Sequence, residues 1–298
     1  MKVIEVPETL DYRSGDRLVE ALDGVESEQR CLLSARHLRW IDPVGMITLL
    51  GVGRELKRRT GVAALFQAPE SGQVSGYLGR MGFYQPAGEV MDFEAPRRRG
   101  GAGDSDVLLE LTRIGENHDV HAVVERVQER AGAILSRTLR YPPSAVIQFA
   151  VILSEVCQNV LEHAEAPGWV AAQSYNWSRR LGRHVLILAV GDLGRGFRGS
   201  LASRHSGRFG ERWSDATALE AAFIHGLTRF PDQGRGQGIQ QMRKQVRRWD
   251  GVISVRSGTA RIADVPDWED LPPLEQDLPM FPGAQITILL PERLPEDG

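Results

Sequence analysis

Glu155, Asn159 and His163 are the residues whose types and spacing point most directly to chemistry. They follow one another at intervals of four in SEVCQNVLEHA. Because an α-helix repeats about every 3.6 residues, this spacing puts the carboxylate, the amide and the imidazole on one helical face. An amide oxygen suits Mg²⁺, which takes few protein ligands beside substrate phosphates, and a nearby carboxylate could orient or deprotonate an attacking water or hydroxyl. His163 is either part of this cofactor site or a packing or capping residue near the helix end.

Two glycine-rich motifs further along the chain predict a pocket for a nucleotide. DLGRG closes a strand in VLILAVGDLGRGF, and GRGQG opens a helix in GRGQGIQQMRKQV. The glycines of the first motif let a backbone approach a flat ring, and its Asp can accept from an exocyclic amine. Free N–H groups at the start of the second helix attract phosphate, although GRGQG alone is equally typical of a flexible loop. The predicted ligand-binding residues are Asp192, Gly194, Gly196, Gly234, Gly236 and Gly238.

At these motifs the chain resembles the GHKL, or Bergerat-fold, ATPases, which include sensor histidine kinases, anti-sigma factor serine kinases, type II topoisomerases and mismatch-repair ATPases. The three stretches look like the N, G1 and G2 boxes of that superfamily. The resemblance spans roughly residues 107–292 and ends in the strand GAQITILLPE. It implies that Asn159 coordinates Mg²⁺, that Glu155 acts as a base, and that Asp192 binds the adenine amino group of ATP. It also implies that Thr287 stands beside that Asp.

The region between the glycine motifs, residues 197–233, would be the lid that closes over the phosphates in that superfamily, and its sequence predicts a long irregular segment. Many histidine kinases place a Lys or Arg three residues after the Mg²⁺-binding Asn, where this chain has Glu162. Lid arginines are therefore expected to neutralise the phosphate charge, since a planar guanidinium suits phosphate. A solvated basic loop is the alternative. These arginines are Arg198, Arg204, Arg208, Arg212 and Arg229, with Arg195 and Arg235 flanking the region.

The sequence predicts two domains of α/β class. Apolar periodicity stops at EAPRRRGGAGDSD (94–106), and 298 residues suffice for two domains with two cores. Upstream, short apolar strands alternate with helices, which predicts a small α/β domain. Downstream, a strand, two long helical segments (117–139 and 142–164), a hairpin-like strand pair, a last helix and two strands indicate an α+β two-layer sandwich. The predicted boundaries are 1–92 for the first domain, 93–106 for a linker and 107–298 for the ATPase-like domain.

The N-terminal domain resembles the STAS domain of anti-sigma factor antagonists over RCLLSARHLRWIDPVGMITLLGVGRELKRR and the segments that follow it. In that family a strand ends in an Asp-Ser-Ser-Gly turn that opens a helix, and here the turn is Asp42-Pro43-Val44-Gly45. The phosphoacceptor serine of the family would fall at Val44, which has no hydroxyl. The resemblance therefore implies a STAS-like module that cannot be phosphorylated there and serves as a docking surface, on its own ATPase domain or on another copy. A generic small α/β domain is the alternative.

Composition favours a cytoplasmic globular protein. Hydrophobic residues make up 42% and charged residues 25% of the chain, and the net charge of −3 gives no general attraction to nucleic acid or membrane. Apolar runs such as HVLILAV are far shorter than a membrane span, and MKVIEVPE lacks the apolar region of an export signal. Cys31 and Cys157 are expected to be buried thiols in a reducing compartment.

Three functions follow as hypotheses. The first is a partner-switching serine/threonine kinase or ATPase in bacterial signalling, whose protein partner is a STAS-type antagonist or sigma-like regulator. The second is an ATP-gated interaction module with slow or no hydrolysis, and a homodimer is compatible with either. The third is a DNA-linked ATPase, which would need a basic surface that the composition does not indicate. A sensor histidine kinase would use His118 or His121, but only one helix precedes that of the N box.

Overall fold

The computed structural model describes residues 1–93, 107–228 and 238–294, with the backbone alone at 107, 131–133 and 163. Residues 1–93 are called the N-terminal unit here, and residues from 107 onward the C-terminal unit. Strands and helices alternate in the N-terminal unit, as its apolar pattern predicts. Its elements are β1 (Lys2–Glu5), β2 (Thr9–Leu10), α1 (Gly15–Glu20), β3 (Cys31–Ser34), β4 (Trp40–Ile41), α2 (Pro43–Thr60), β5 (Ala64–Gln67), α3 (Gly72–Arg80), α4 (Tyr84–Val90) and β6 (Met91–Asp92).

Helix α2 is the central helix of the N-terminal unit, whose strands β1, β3, β5 and β6 pair in parallel in that order. Asp42 caps the helix by accepting a hydrogen bond of 2.8 Å from the backbone N–H of Gly45. Pro43 stands in the first turn, where its missing N–H has no intrahelical partner to lose. The helix ends at Gly61, whose φ of +78° is a left-handed conformation that glycine adopts without a steric penalty.

The C-terminal unit contains the strands and the two long helices that its sequence predicts, which confirms a mixed α/β chain. Its elements are β7 (Val107–Ile114), α5 (Asn117–Ala133), α6 (Pro143–Asn159), β8 (Gly168–Trp177), β9 (Arg183–Asp192), α7 (Gly196–Phe209), α8 (Asp215–Phe223), α9 (Gly238–Arg248), β10 (Val252–Gly258), β11 (Ala260–Asp264), β12 (Leu274–Glu275) and β13 (Phe281–Pro291). A π-helical turn follows each of the two long helices, at Ile134–Thr138 and at Val160–Ala164.

The strands of the C-terminal unit form one antiparallel sheet, ordered β12-β11-β10-β13-β9-β8-β7 among the described residues. Its inner face packs on α5, α6, α8 and α9 around Phe149, Leu153, Leu188 and Ile288, all of them buried. Alternate residues of β9 such as Ile187 belong to the opposite, outer face. Because β9 is buried on both faces, it reads as the continuous apolar run HVLILAV rather than as an alternating pattern.

The prediction of a long irregular segment at 197–233 is wrong over its described part. Residues 196–209 form α7 and residues 215–223 form α8, joined by a short 3₁₀ turn. Leu201 and Trp213 pack together with small residues of α8 in a separate apolar cluster. In α7, the many Arg, Ser and Gly residues obscured the helical spacing of the apolar residues in the sequence. Residues 229–233 lie outside the described part of the chain.

The N-terminal unit covers the outer face of the C-terminal sheet, so that the two predicted domains share one core. Buried residues of α2 such as Ile47 and Leu50 belong to the same apolar cluster as Ala189 of β9 and Phe281 of β13. Two separate cores were expected, and the structure instead has one core between the units and another on the inner face of the sheet. The boundary at 93–106 stays a prediction, because all but residue 93 of it lies outside the described residues.

A partly buried carboxylate, Asp16, and a buried one, Glu269, join the units at the edges of this shared core. Asp16 of α1 accepts a hydrogen bond of 2.9 Å from Arg256 Nε and also pairs with Arg261. Glu269, whose side chain is fully buried, accepts from Tyr12 Oη at 2.7 Å and pairs with Arg13. Buried ion pairs cost several kcal/mol when one partner is removed, because the other charge is left uncompensated. These contacts therefore oppose separation of the units.

One helical segment among the described residues, Pro143–Glu162, has the length and hydropathy of a membrane span, with a mean hydropathy of 1.5. In the structure this segment packs on the inner face of the sheet through Phe149, Leu153 and Val156, which are fully buried. Helices that form the core of a globular fold meet the same measure. Both cysteines, Cys31 and Cys157, are free and buried, as the sequence predicts.

The burial of Asp42 predicts a specific pH dependence of stability. Desolvation raises the pKa of this carboxyl to about 7, well above its value of about 3.9 in an unfolded chain. A raised folded-state pKa contributes stability that is complete below about pH 4 and is lost as the pH rises through 7. We expect Asp42→Asn, which keeps an acceptor for the cap, to flatten the fall in unfolding free energy between pH 4 and 7. Urea unfolding across that range measures it, and exposed Asp23→Asn, the control, should retain the wild-type slope.

Candidate functional site

The predicted chemical residues converge on a cavity of about 380 Å³ on the inner face of the C-terminal sheet. The cavity lies between the end of α6, the carboxyl end of β9, the start of β13 and the first turns of α7 and α9. Its walls include residues from each of the three sequence motifs. These are Glu155, Asn159, Asp192, Gly196 and Gly238.

Asp192 places a buried carboxylate at the end of β9. One of its oxygens accepts a hydrogen bond of 2.9 Å from the N–H of Gly194, and the backbone N–H of Ala284 also donates to the carboxylate. Burial raises the pKa of Asp192 to about 6, and these two N–H groups limit the rise. The carboxylate is thus ionised at neutral pH and keeps capacity to accept a further donor from a ligand.

The glycines after Asp192 are required by close backbone contacts. A methyl group added at Gly194 would lie 1.9 Å from the carbonyl oxygen of Ala164, at the end of the π-helical turn. Gly196 has a φ of +64°, and a methyl group there would meet Ser257 Oγ at 2.6 Å. The DLGRG turn therefore fits between α6 and β13 only because these positions lack side chains.

Glu155 and Asn159 lie one turn apart near the end of α6, as their spacing predicts. The Nδ2 atom of Asn159 is buried and has no hydrogen-bond partner among the described residues. Glu155 is exposed and faces the start of α9, where a methyl group added at Gly238 would lie 2.7 Å from Glu155 Oε2. A buried amide without a partner is costly unless a ligand or water satisfies it, so Asn159 has the features of a binding residue.

The other residues of these motifs are only partly described. The α-helical repeat that would align His163 with Asn159 ends at Asn159, because Val160–Ala164 is a π-helical turn. The side chain of His163, and the whole of Gly234 and Gly236, lie outside the described residues. Gly238 is the first residue of α9, so this glycine motif does lead into a helix, as predicted.

The structure does not bring Thr287 to Asp192. Thr287 pairs with Ala189, three residues before the Asp on β9, and both belong to the outer face of the sheet. Ala284 is the residue opposite Asp192. Side chains alternate between the faces of a strand, so a hydroxyl at 287 cannot reach the cavity while Asp192 faces it. The sequence pattern gave the strand but not its register.

The described charged residues of the cavity wall are all acidic, namely Glu155, Glu162 and Asp192. Glu162 also accepts a hydrogen bond of 3.1 Å from Gln158. The lid arginines of the described region are exposed and absent from this wall, and Arg195 pairs with Glu165. Arg229 and Arg235 lie outside the described residues. Sequence reasoning missed wall residues from α7 and α9, for which helical spacing from Gly196 and Gly238 was the available signal. They include Phe197, Ser200, Ile239 and Gln241.

The fit of a metal ion depends on Asn159. Within the described ranges, no three His, Cys, Asp or Glu side chains form a cluster that could hold an ion. Mg²⁺ does not require such a cluster when phosphate oxygens and water complete its octahedron. The unpartnered atom of Asn159 is Nδ2, a donor that would bond a ligand oxygen, so the ion would be held through the amide oxygen, with the carboxylates of Glu155 and Glu162 on the same wall.

Comparisons with protein-family models, with curated proteins and with solved structures find no match for this chain. The chemistry of the cavity therefore has to be argued from its own residues.

The contact at Gly194 predicts a large difference between two glycines. In Gly194→Ala the new methyl group would overlap the carbonyl of Ala164, and overpacking of this kind costs about 1–3 kcal/mol. Gly207 of α7 has no heavy atom within 4 Å of an added methyl group, so Gly207→Ala should stabilise by about 0.4–1 kcal/mol. Urea unfolding of both variants measures these changes. Equal stability of the two would contradict the described turn.

Proposed function

We propose that the C-terminal unit binds Mg²⁺-ATP in the 380 Å³ cavity and that the chain is a regulatory phosphoryl-transfer protein of the GHKL type. The observation that carries the proposal is the convergence of three motifs, distant in sequence, on one cavity wall. Glu155 and Asn159 come from α6, Asp192 from β9, and Gly238 from the start of α9. The Bergerat fold of this unit and the STAS-like fold of the N-terminal unit are part of the same proposal.

The base of the nucleotide would bind at the Asp192 end of the cavity. The buried carboxylate accepts a hydrogen bond from the exocyclic amine, which distinguishes adenine from bases that carry an oxygen there. Val190 and Ile286 supply apolar wall on the same face of the sheet, against which a flat ring packs. Gly191 also belongs to this wall. A site that pairs a buried acceptor with its ligand rejects analogues that lack the donor.

The phosphates would lie toward Asn159 and Gly238. Asn159 would hold Mg²⁺ through its amide oxygen, and the ion, when bound, neutralises phosphate charge and orients the terminal phosphoryl group. The backbone N–H groups at the start of α9 attract the same charge. Glu155 stands between Asn159 and Gly238, so its carboxylate would take the proton of the attacking hydroxyl or water.

The acceptor of the phosphoryl group would be a hydroxyl of a separate protein, with a STAS-type antagonist or sigma-like regulator as partner. Val44 has no hydroxyl, and it is buried with its carbonyl accepting a hydrogen bond from Gln285 of the C-terminal unit. The N-terminal unit is thus excluded as an acceptor at that turn. The alternative is an ATP-gated interaction module with slow turnover, which the all-acidic described wall of the cavity favours.

Labelled ATP separates these functions. Incubation of the chain with γ-labelled ATP and cell extract should label one extract protein on Ser or Thr if it is a kinase. Release of label into solution alone indicates an ATPase, and binding without turnover indicates the gated module. Asn159→Ala should weaken Mg²⁺-dependent ATP binding by about 10–100-fold, since one charged contact contributes about 1.5–3 kcal/mol. Glu155→Gln should bind ATP normally but slow turnover, and ATP binding unaffected by Asn159→Ala would refute the assigned metal site.

Asp192 gives the ATP affinity a defined pH dependence. An amine donor binds the ionised carboxylate, so affinity should fall as the pH is lowered through about 6, the pKa of the free site. Asp192→Asn should bind ATP more weakly at neutral pH and lose this part of the pH dependence, because its amide does not titrate. Calorimetry at pH 5 and 7.5 compares the two proteins, and the titration of ATP itself is common to both. Equal affinity at neutral pH would remove Asp192 from the site.

A further inference from the structure

The N-terminal unit reaches the C-terminal unit along one row of residues that crosses the outer face of the sheet. Register places Arg261 opposite Arg256, Arg256 opposite Gln285, and Gln285 opposite Gly191. Residues of α1 and α2 contact this row between Arg261 and Gly191. The row then reaches Gly191, one residue before the carboxylate of the cavity, and continues to Trp169 of β8.

Polar contacts fix the beginning and the middle of the row. Asp16 of α1 bonds Arg256 at 2.9 Å and also pairs with Arg261. Gln285 donates its amide to the carbonyl of Val44 at 3.1 Å, and Thr48 Oγ1 lies 3.3 Å from the same nitrogen. Gln285 is buried, so these bonds have no ready replacement from water. They define where α2 lies on the sheet.

An apolar contact fixes the row at Gly191. A methyl group added at Gly191 would lie 2.6 Å from Ile47 Cγ2, so that the branched methyl of Ile47 rests directly on the glycine backbone. One turn further along α2, the side chain of Leu193 packs on Gly51. A methyl group added at Gly51 would lie 3.1 Å from Leu193 Cδ2. Both neighbours of Asp192 are therefore in contact with α2, Gly191 through its backbone and Leu193 through its side chain.

We propose that Ile47 and Gln285 are positioning residues for the nucleotide site and that the N-terminal unit supports this site from the outer face of the sheet. Gly191 faces α2 on one side of the sheet and borders the cavity on the other, with no side chain between. A shift of this backbone moves the carboxylate of Asp192, because the two residues are adjacent on one strand. Close-packed interiors transmit such shifts rather than absorb them. The inference rests on the proposed function.

The test compares two nucleotides in the full-length protein. Inosine triphosphate carries a carbonyl oxygen where ATP carries the amine, so the ratio of its Kd to that of ATP reports how well Asp192 is placed. Ile47→Leu removes the branched methyl at constant carbon number, and we expect it to lower this ratio about fivefold, since misaligned hydrogen bonds weaken steeply. Ile47→Val keeps that methyl and should retain the wild-type ratio. Calorimetry with both nucleotides measures it.

Two further variants separate positioning from loss of stability. Ile4→Leu makes the same change at a buried position of β1 and should leave the ratio unchanged even where both affinities fall. Gln285→Leu removes the amide that bonds α2 and should lower the ratio as Ile47→Leu does. If Ile47→Leu does not fold, the ratio in Gln285→Leu tests the inference alone. A wild-type ratio in both Gln285→Leu and Ile47→Leu would overturn this inference and leave the proposed function intact. An equal fall with Ile4→Leu would also overturn it. Failure of the wild-type protein to bind ATP, or to prefer it over inosine triphosphate, would refute the proposed function and this inference with it.

Discussion

The burial of β9 on both faces is the constraint on which the rest of the structure depends. Its inner residues pack on α6 and its outer residues on α2, so the strand belongs to two cores at once. The strand cannot shift toward either side without opening a void in one of the two cores, and voids in close-packed interiors are costly. The strand therefore presents Asp192 from a position that is fixed by apolar packing on both sides.

The two faces of the C-terminal sheet have different roles because of this strand. On the inner face, α6 and α9 diverge from the sheet and leave the cavity, with an amide and carboxylates on its wall. On the outer face, the N-terminal unit packs on β9 and β13, and polar contacts of Asp16 and Glu269 join the two units. The open face can bind a ligand, whereas the closed face holds the geometry of the site.

The sequence was sufficient to predict elements with strong local signals. The longer strands of both units, α2 and the two long helices of the C-terminal unit follow from apolar periodicity. Glu155, Asn159, Asp192 and Gly238 were predicted to meet, and they line one cavity. Register was beyond the sequence, because the alternation in AQITILL puts Gln285 and Thr287 on one face of the strand but does not show that Asp192 belongs to the other face. Helix α7 was missed since its apolar residues are few and separated by Arg, Ser and Gly, and α8 was missed although its sequence DATALEAAF is largely apolar.

Docking of the two units was also beyond a reading of one sequence, because it depends on contacts between residues more than 200 positions apart, such as Asp16 with Arg256. Each unit taken alone has a pattern that predicts a complete small domain. The pattern of neither unit shows that the outer face of β9, with Val185, Ile187 and Ala189, is as apolar as a core and has to be covered.

The π-helical turn at Val160–Ala164 makes the position of the DLGRG turn depend on the number of residues that follow α6. A π turn holds about one residue more than an α turn, because its hydrogen bonds join residues five apart rather than four. The additional residue directs the carbonyl of Ala164 to the backbone of Gly194 and to the N–H of Arg195, at 3.2 Å. Deleting one residue from this turn would restore the α-helix and rotate that carbonyl by about 100°, the angle between successive residues. The number of residues in this turn, rather than the identity of any one of them, thus determines where the DLGRG turn can lie.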